Sequence, residues 1–335
     1  MDKTFNDRWM LAGAAMAALL AAGLLATQPA GGGINGGGRF YGAIDEFGSI
    51  FVNGVEFELG GATITIDDQP GAESDLRLGQ LVTVDGVVNL DGVTGNAVTV
   101  KLRNDLRGTV SAVDPTDVSF TLLAQKVRVD STTLYGPTVA PQALAGIAPG
   151  LAYVVSGHRN ALGELVATRI DRAATATPKI VGRVADLDGD VSRLTIGALT
   201  IDYAGAQLEG APTEGALVEA SGTLQSPTLL VASRVEVIAG GLVPGEGASI
   251  EGYVTAPLSA GRFALGSQVV SVSAATEIVD GTAADLVANV KVEAEGQVDA
   301  AGVLRAGKVT ISWPAARAHG VVTRTPASGG RLEVN

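Results

Sequence analysis

The sequence predicts an all-β protein: a tandem array of four small five-stranded OB-like barrels and a partial fifth unit, following an N-terminal apolar helix. Three observations carry this expectation. Sequence markers recur in one fixed order at intervals of 66 to 74 residues, the signature of a repeat architecture. Within each interval, apolar and polar residues alternate with period two, the period of a half-buried strand. The composition is rich in glycine (45 of 335 residues) and poor in aromatics (4%), with no cysteine. Small aliphatic cores without disulfides or thiolate metal sites are therefore expected.

Residues 1–30 read as a signal peptide or membrane anchor. Asp2, Lys3, Asp7 and Arg8 precede an uncharged run from Trp9 to Ala26, long for a signal-peptide core and just long enough to span a bilayer. A small-x-small cleavage pattern is poorly formed, since cutting after Ala26 or Ala30 places Leu24 or Gln28 three residues back. Lys3 and Arg8 favour a cytoplasmic N-terminus and export of the remainder. With no cysteine after the run, lipid modification there is excluded. Residues 31–38 (GGGINGGG) read as a flexible linker, because so glycine-rich a stretch gains too little from packing to offset its ordering entropy. A phosphate-binding loop would require a following helix, whereas the next segment has strand character.

The repeats begin with Gly-x-(Val/Ile) at Gly42, Gly108, Gly182, Gly252 and Gly320. A strand closed by glycine follows, ending at Gly86, Gly157, Gly222 and Gly296. Each full unit finishes on Ala-x-x-(Val/Ile), at Ala97/Val100, Ala167/Ile170, Ala232/Val235 and Ala306/Val309. The units are bounded at 39–105, 106–174, 179–238 and 248–314, with a linker at 239–247 and a partial fifth repeat at 317–335. In the first unit Val55, Phe57 and Leu59 alternate with Glu56 and Glu58, and Asn53-Gly54 is the strongest hairpin signal. Equivalent turns are expected near Gly197 and Gly266. Helix-compatible stretches at Glu73–Leu76, Gln142–Ala145 and Thr282–Leu286 precede the fourth strand, while a tight turn near Thr213 replaces them in the third unit. Three strands, a short helix and two strands is the order of an OB-like barrel; a two-sheet sandwich is the other arrangement with this strand count. Units this small are marginal alone, so neighbours are expected to pack into a stiff rod, with 239–247 as its hinge.

The segments Gly48-Ser49-Ile50-Phe51-Val52-Asn53-Gly54-Val55 and Asp75-Leu76-Arg77-Leu78-Gly79-Gln80-Leu81-Val82-Thr83-Val84-Asp85-Gly86 resemble the bacterial "domain of unknown function 5666" family. The resemblance spans about residues 39–313. It implies export and tandem copies of one domain; it transfers no catalytic residues, and the lipoprotein anchoring of some members does not carry over without their cysteine.

Chemistry is thinly signposted. Asp186, Asp188 and Asp190 alternate as in a calcium loop, but an EF-hand needs Gly and Glu where Val191 and Gly197 stand. A hairpin turn is the stronger reading, an incidental cation site the weaker. His158 follows Ser156 and Gly157 without triad spacing and is expected to be an exposed turn residue; His319 has no companion. Arg169, Arg234 and Lys308 share one polar slot of the last strand, a stripe that could meet an anionic polymer or simply be solvated. Phe51, Phe57, Phe120 and Phe263 fit core positions. No catalytic, cofactor or metal residues are assigned. The net charge of −12 argues against nucleic acid as a partner. The expectation is a non-catalytic exported protein of the periplasm or cell surface, structural, adhesive or surface-presenting, that meets the inner membrane only through an uncleaved N-terminal segment. Its partner would be an envelope component or a second copy. The alternative is an oligosaccharide- or cation-binding envelope module.

Overall fold

Alternation of buried and exposed side chains shapes every repeat into the same ladder. The computed structural model describes residues 34, 36–46, 49–238, 241–313, 322–324 and 333–334. The apolar run Trp9–Ala26 and His319 lie outside these residues, and no helix among the described residues is long and apolar enough to cross a membrane.

Barrel I contains β1 (Gly36–Ala43), β2 (Ile50–Val52), β3 (Val55–Glu58), β4 (Thr63–Ile66), β5 (Gln69–Pro70), β6 (Leu81–Val88) and β7 (Thr94–Leu102). Barrel II follows with β8 (Leu106–Asp114), β9 (Ser119–Leu122), β10 (Gln125–Arg128), β11 (Leu134–Tyr135), β12 (Ala152–Arg159) and β13 (Leu165–Arg172). Barrel III comprises β14 (Lys179–Arg183), β15 (Ala185–Asp188), β16 (Arg193–Ile196), β17 (Leu199–Asp202), β18 (Gln207–Glu209), β19 (Leu217–Ser226) and β20 (Leu229–Val237). Barrel IV comprises β21 (Gly247–Ser259), β22 (Arg262–Leu265), β23 (Gln268–Ser271), β24 (Glu277–Val279), β25 (Lys291–Val298) and β26 (Leu304–Ser312).

Barrel IV shows the closure most plainly. β21 pairs with β22, β22 with β23, β23 runs parallel to β26, β26 pairs with β25, and β25 returns to β21. Barrel II repeats this with β8, β9, β10, β13 and β12. Barrels I and III carry the corresponding ladders. In barrel I, Asp45 N–H to the Phe51 carbonyl continues β1 onto β2. Closing a sheet removes its free edges, and the small diameter suits cores of Val, Ile and Leu. The opening-marker residues Ile44, Val110, Val184 and Val254 are all buried, as are Phe57, Phe120 and Phe263. Phe51 is only partly so. The cores of barrels II and III merge into one apolar cluster.

The glycine marker has a different cause from the one its sequence suggests. β6, β12, β19 and β25 continue past Gly86, Gly157, Gly222 and Gly296, and each glycine sits at a register shift opposite the marker alanine: Ala97, Ala167, Ala232 and Ala306. At this bulge a Cβ on Gly86 would lie 2.7 Å from the Asn96 carbonyl oxygen, and the other three would meet the carbonyls of Val166, Val231 and Arg305. Close backbone approach, rather than strand termination, selects glycine. Hairpin turns occur at Asn53-Gly54, Gly197 and Gly266 as expected, with positive φ throughout. Barrel II makes the equivalent turn with Leu123 and Ala124, both at positive φ; burial of Leu123 (2% exposed) offsets the backbone cost.

Other expectations change. The helix-compatible stretches are single 3₁₀ turns at Glu73–Asp75, Leu144–Gly146 and Ala283–Asp285. Of the expected flexible linker, Gly36–Gly38 belong to β1, because Ile34 packs over the bare backbone of Gly38 and Gly247. The hinge expected at 239–247 likewise ends in strand: Gly247 opens β21. Instead of a rod, the first and last barrels join. β1 runs parallel to β21 (Gly38↔Gly247 to Tyr41↔Ile250), while β8 pairs with β14, so that barrels I and IV share one sheet and barrels II and III another. Units this small bury too little surface alone, and the shared sheets add hydrogen-bonded contact between them. Near the C-terminus, β27 (Val322–Arg324) and β28 (Glu333–Val334) pair antiparallel.

Candidate functional site

Polar chemistry in this protein concentrates where barrels meet. His158 leaves β12 of barrel II toward β21 of barrel IV, and its Nε2–H donates to Glu251 Oε1 at 2.7 Å. Lys291 of β25 lies 3.0 Å from Glu251 Oε2. The imidazole is sandwiched edge-on between Tyr41 of barrel I and Tyr253 of barrel IV, with ring centroids 5.6 and 6.5 Å away. It is 4% exposed, so the expectation of an exposed turn histidine is wrong. The residue stands inside a strand, and its register points it into a three-barrel junction.

Burial alone would raise the Glu251 carboxyl; the His158 hydrogen bond and the His158 and Lys291 charges overcome it and hold the group down at about 2. Its neighbours move the other way. Burial pushes Glu293 up to about 7, against the Ser249 hydroxyl that donates to it at 2.9 Å. Asn53 in turn donates to Ser249 at 2.8 Å, tying the barrel I hairpin to barrel IV. Desolvation raises Asp105 to about 6 although it accepts the Gly157 N–H. Asp45 rises to about 6 through burial and the nearby Glu251 charge. The Tyr41 phenol is pushed well above its usual range by burial, and Tyr253 up to about 12 for the same reason.

A second cluster joins barrels I and III. Lys179, 1% exposed, bridges Asp67 at 2.6 Å and Glu219 at 2.7 Å. Arg103 spans Asp68, Glu219 and Glu236. Asp67 also accepts from the Asn104 backbone and side chain. Burial would raise Asp67, but Lys179 and Asn104 keep it below the usual carboxylate range. Removing either partner from such a set leaves a buried charge uncompensated. Asp67-Asp68, read from sequence as turn residues alone, do form a turn with both φ positive; the turn also aims their carboxylates at barrel III.

Asp188 caps its own turn, accepting from the Asp190 and Val191 N–H groups, and Asp186 accepts from Thr195. Among the described residues no cluster of three or more His, Cys, Asp or Glu side chains could hold a metal. The proposed stripe of cations is neutralised. Arg169 pairs with Asp171 and donates to the Leu78 carbonyl of barrel I. Arg234 pairs with Glu209 and Glu236, and Lys308 lies 3.9 Å from Glu295. Sequence reading missed Lys179 and Glu219. The available signal was slight: Lys179 opens β14 next to Ile180 and Val181, and Glu219 stands between Val218 and Ala220 in β19.

Four barrels of one design, joined through buried ion clusters, define a tandem β-repeat protein. The family model described as "Domain of unknown function (DUF5666)" matches residues 41–98, 107–171, 181–236 and 251–310, one match per barrel. The chain belongs to this DUF5666 family. No curated protein matches the chain.

Proposed function

We propose that this is a non-catalytic exported protein of the cell envelope, whose four OB-like barrels form a block for structural support, adhesion or display of a surface. The observation that carries this reading is the use made of the ionisable side chains. His158, Glu251, Lys179, Asp67, Glu219 and Arg103 bind barrel to barrel, where they secure relative orientation. The pairing order first–second–third–fifth–fourth–first, with third and fifth strands parallel, supports the OB-like assignment. The β27–β28 pair fits the start of a further unit. Export rests on the uncharged run Trp9–Ala26 behind Lys3 and Arg8.

The test is expression of the full chain in a diderm bacterium, with fractionation, N-terminal sequencing and a glycan-array screen of the recovered protein. Recovery outside the cytosol without glycan retention is expected. Confinement to the cytosol would overturn the export reading. Saturable retention of one glycan class would replace the structural role with an oligosaccharide-binding one.

A further inference from the structure

An asparagine followed by glycine is prone to attack by the next backbone nitrogen on its own carboxamide, because glycine has no Cβ to hinder the approach. The sequence holds two such pairs, Asn35-Gly36 and Asn53-Gly54. The second forms the β2–β3 turn, with φ of 53° and 72°. The corresponding turns of the other barrels are Leu123-Ala124, Gly197-Ala198 and Gly266-Ser267. The turn itself therefore does not demand asparagine.

What Asn53 supplies is a contact across the barrel I–IV seam. Its Nδ2 donates to the Tyr41 carbonyl at 3.1 Å and to the Ser249 hydroxyl oxygen at 2.8 Å, so both amide hydrogens are used. Its Oδ1 lies over the bare backbone of Gly42, where a Cβ would collide with it. Ser249, 1% exposed, in turn donates to Glu293 at 2.9 Å. Donation thus runs one way, from Asn53 through Ser249 to a carboxyl that burial already pushes up to about 7. A carboxylate at position 53 has no hydrogen to give. It would face the Tyr41 carbonyl and compete with Glu293 for the single hydroxyl hydrogen of Ser249, and a buried charge without a partner is costly.

We propose that Asn53 is a deamidation site gated by the barrel I–IV seam: the closed seam holds the carboxamide on Tyr41 and Ser249, and the carboxylate that forms once the seam opens prevents it from closing again. In the open state the Gly54 backbone nitrogen attacks Asn53 Cγ. A cyclic succinimide forms, and the side-chain nitrogen leaves as ammonia, taking the Gly54 amide proton. Water then adds to one of the two ring carbonyls and opens the ring to aspartate or isoaspartate. The acid proton passes to the ammonia, giving ammonium, and water is the only co-reactant. Isoaspartate also routes the backbone through the side chain, adding a carbon to a turn whose register is set by its length. The change is one-way and marks chains whose seam has opened.

The test follows the full chain at alkaline pH, folded or unfolded in guanidinium, by mass spectrometry of tryptic peptides. Cleavage after Arg39 and Arg77 gives a peptide in which Asn53 is the only asparagine. Because two hydrogen bonds must break first, conversion in the folded chain should be at least about 30-fold slower than in the unfolded one. Ser249→Ala, which removes one of the two acceptors, should speed the folded chain about fivefold. Equal rates in the folded and unfolded chains would overturn the gate, and this comparison needs no variant. The block to reclosure is read by hydrogen exchange across Gly38–Tyr41 and Gly247–Ile250, the paired segments of β1 and β21. Asn53→Asp should exchange there at least about tenfold faster than Asn53→Gly, which accepts the positive φ and brings no charge. Equal exchange in the two variants would overturn it.

Discussion

Replacing Glu293 with glutamine should stabilise this protein at alkaline pH and do nothing at acid pH. The carboxyl is pushed up to about 7 from an ordinary 4.5, chiefly because it is desolvated at the barrel I–IV seam. A carboxylate raised on folding lets the folded state hold more protons than the unfolded one. Its contribution is thus intact below pH 4.5 and is lost as pH rises toward 7. At ~1.4 kcal/mol per unit of displacement, the loss amounts to at most ~3 kcal/mol above neutrality. Glutamine is isosteric, never ionises, and keeps an acceptor for the Ser249 hydroxyl, which lies 2.9 Å from the present oxygen. If the barrels melt together, Glu293→Gln should raise Tm by roughly 5 °C at pH 8 and leave it unchanged at pH 4. Thermal unfolding followed by circular dichroism at the two pH values measures this. An equal shift at both pH values, or a fall at pH 8, would refute the reasoning, because the effect would then be packing rather than ionisation.

Glu251 should behave in the opposite sense. Held at about 2 against an ordinary 4.5, it contributes stability above pH 4.5 that is lost as pH falls toward 2, so Glu251→Gln should flatten the acid limb of a pH–stability profile and cost ~3 kcal/mol at pH 7. Lys179→Met removes the buried cation that bridges Asp67 and Glu219, leaving Glu219 to Arg103 and Asp67 to Arg107 at 3.7 Å, and should cost ~3 kcal/mol in urea unfolding; a loss under ~1 kcal/mol would mean the cluster is solvated. Gly296→Ala drives a methyl group into the Arg305 carbonyl and should cost ~1–3 kcal/mol. Gly189→Ala, which meets nothing, should stay within about 0.5 kcal/mol.

The repeats themselves were legible because their markers answer to short-range physics. Gly222 and Ala232 face each other across one bulge, and a bulge that admits no Cβ enforces glycine wherever it recurs. The hairpin at Asn53-Gly54 was equally plain. Leu123-Ala124 was not, because tertiary burial, rather than turn chemistry, holds it in place. The arrangement of barrels was misread for a related reason. Alternation specifies which face of a strand is buried within a barrel, whereas the β1–β21 ladder is set by bare glycine backbone at Gly38 and Gly247, which carries no side-chain pattern. His158 and Lys179 were invisible for the same cause: each has a partner in another barrel, 93 residues away for Glu251 and 112 for Asp67.

The pairing of β1 with β21 and of β8 with β14 also governs what a cut would do. The segment between barrels II and III crosses exposed residues 174–177 and is the natural target of a protease. Cleavage there would divide the chain into an N-terminal and a C-terminal half, each contributing one barrel to each shared sheet. Two hydrogen-bonded seams, the Arg103–Glu219 pair and the His158–Glu251 pair would all bridge the fragments. The nicked molecule would therefore migrate as one particle until denatured. Two halves expressed separately should find each other as a split protein does, each supplying the strand edges that the other leaves open.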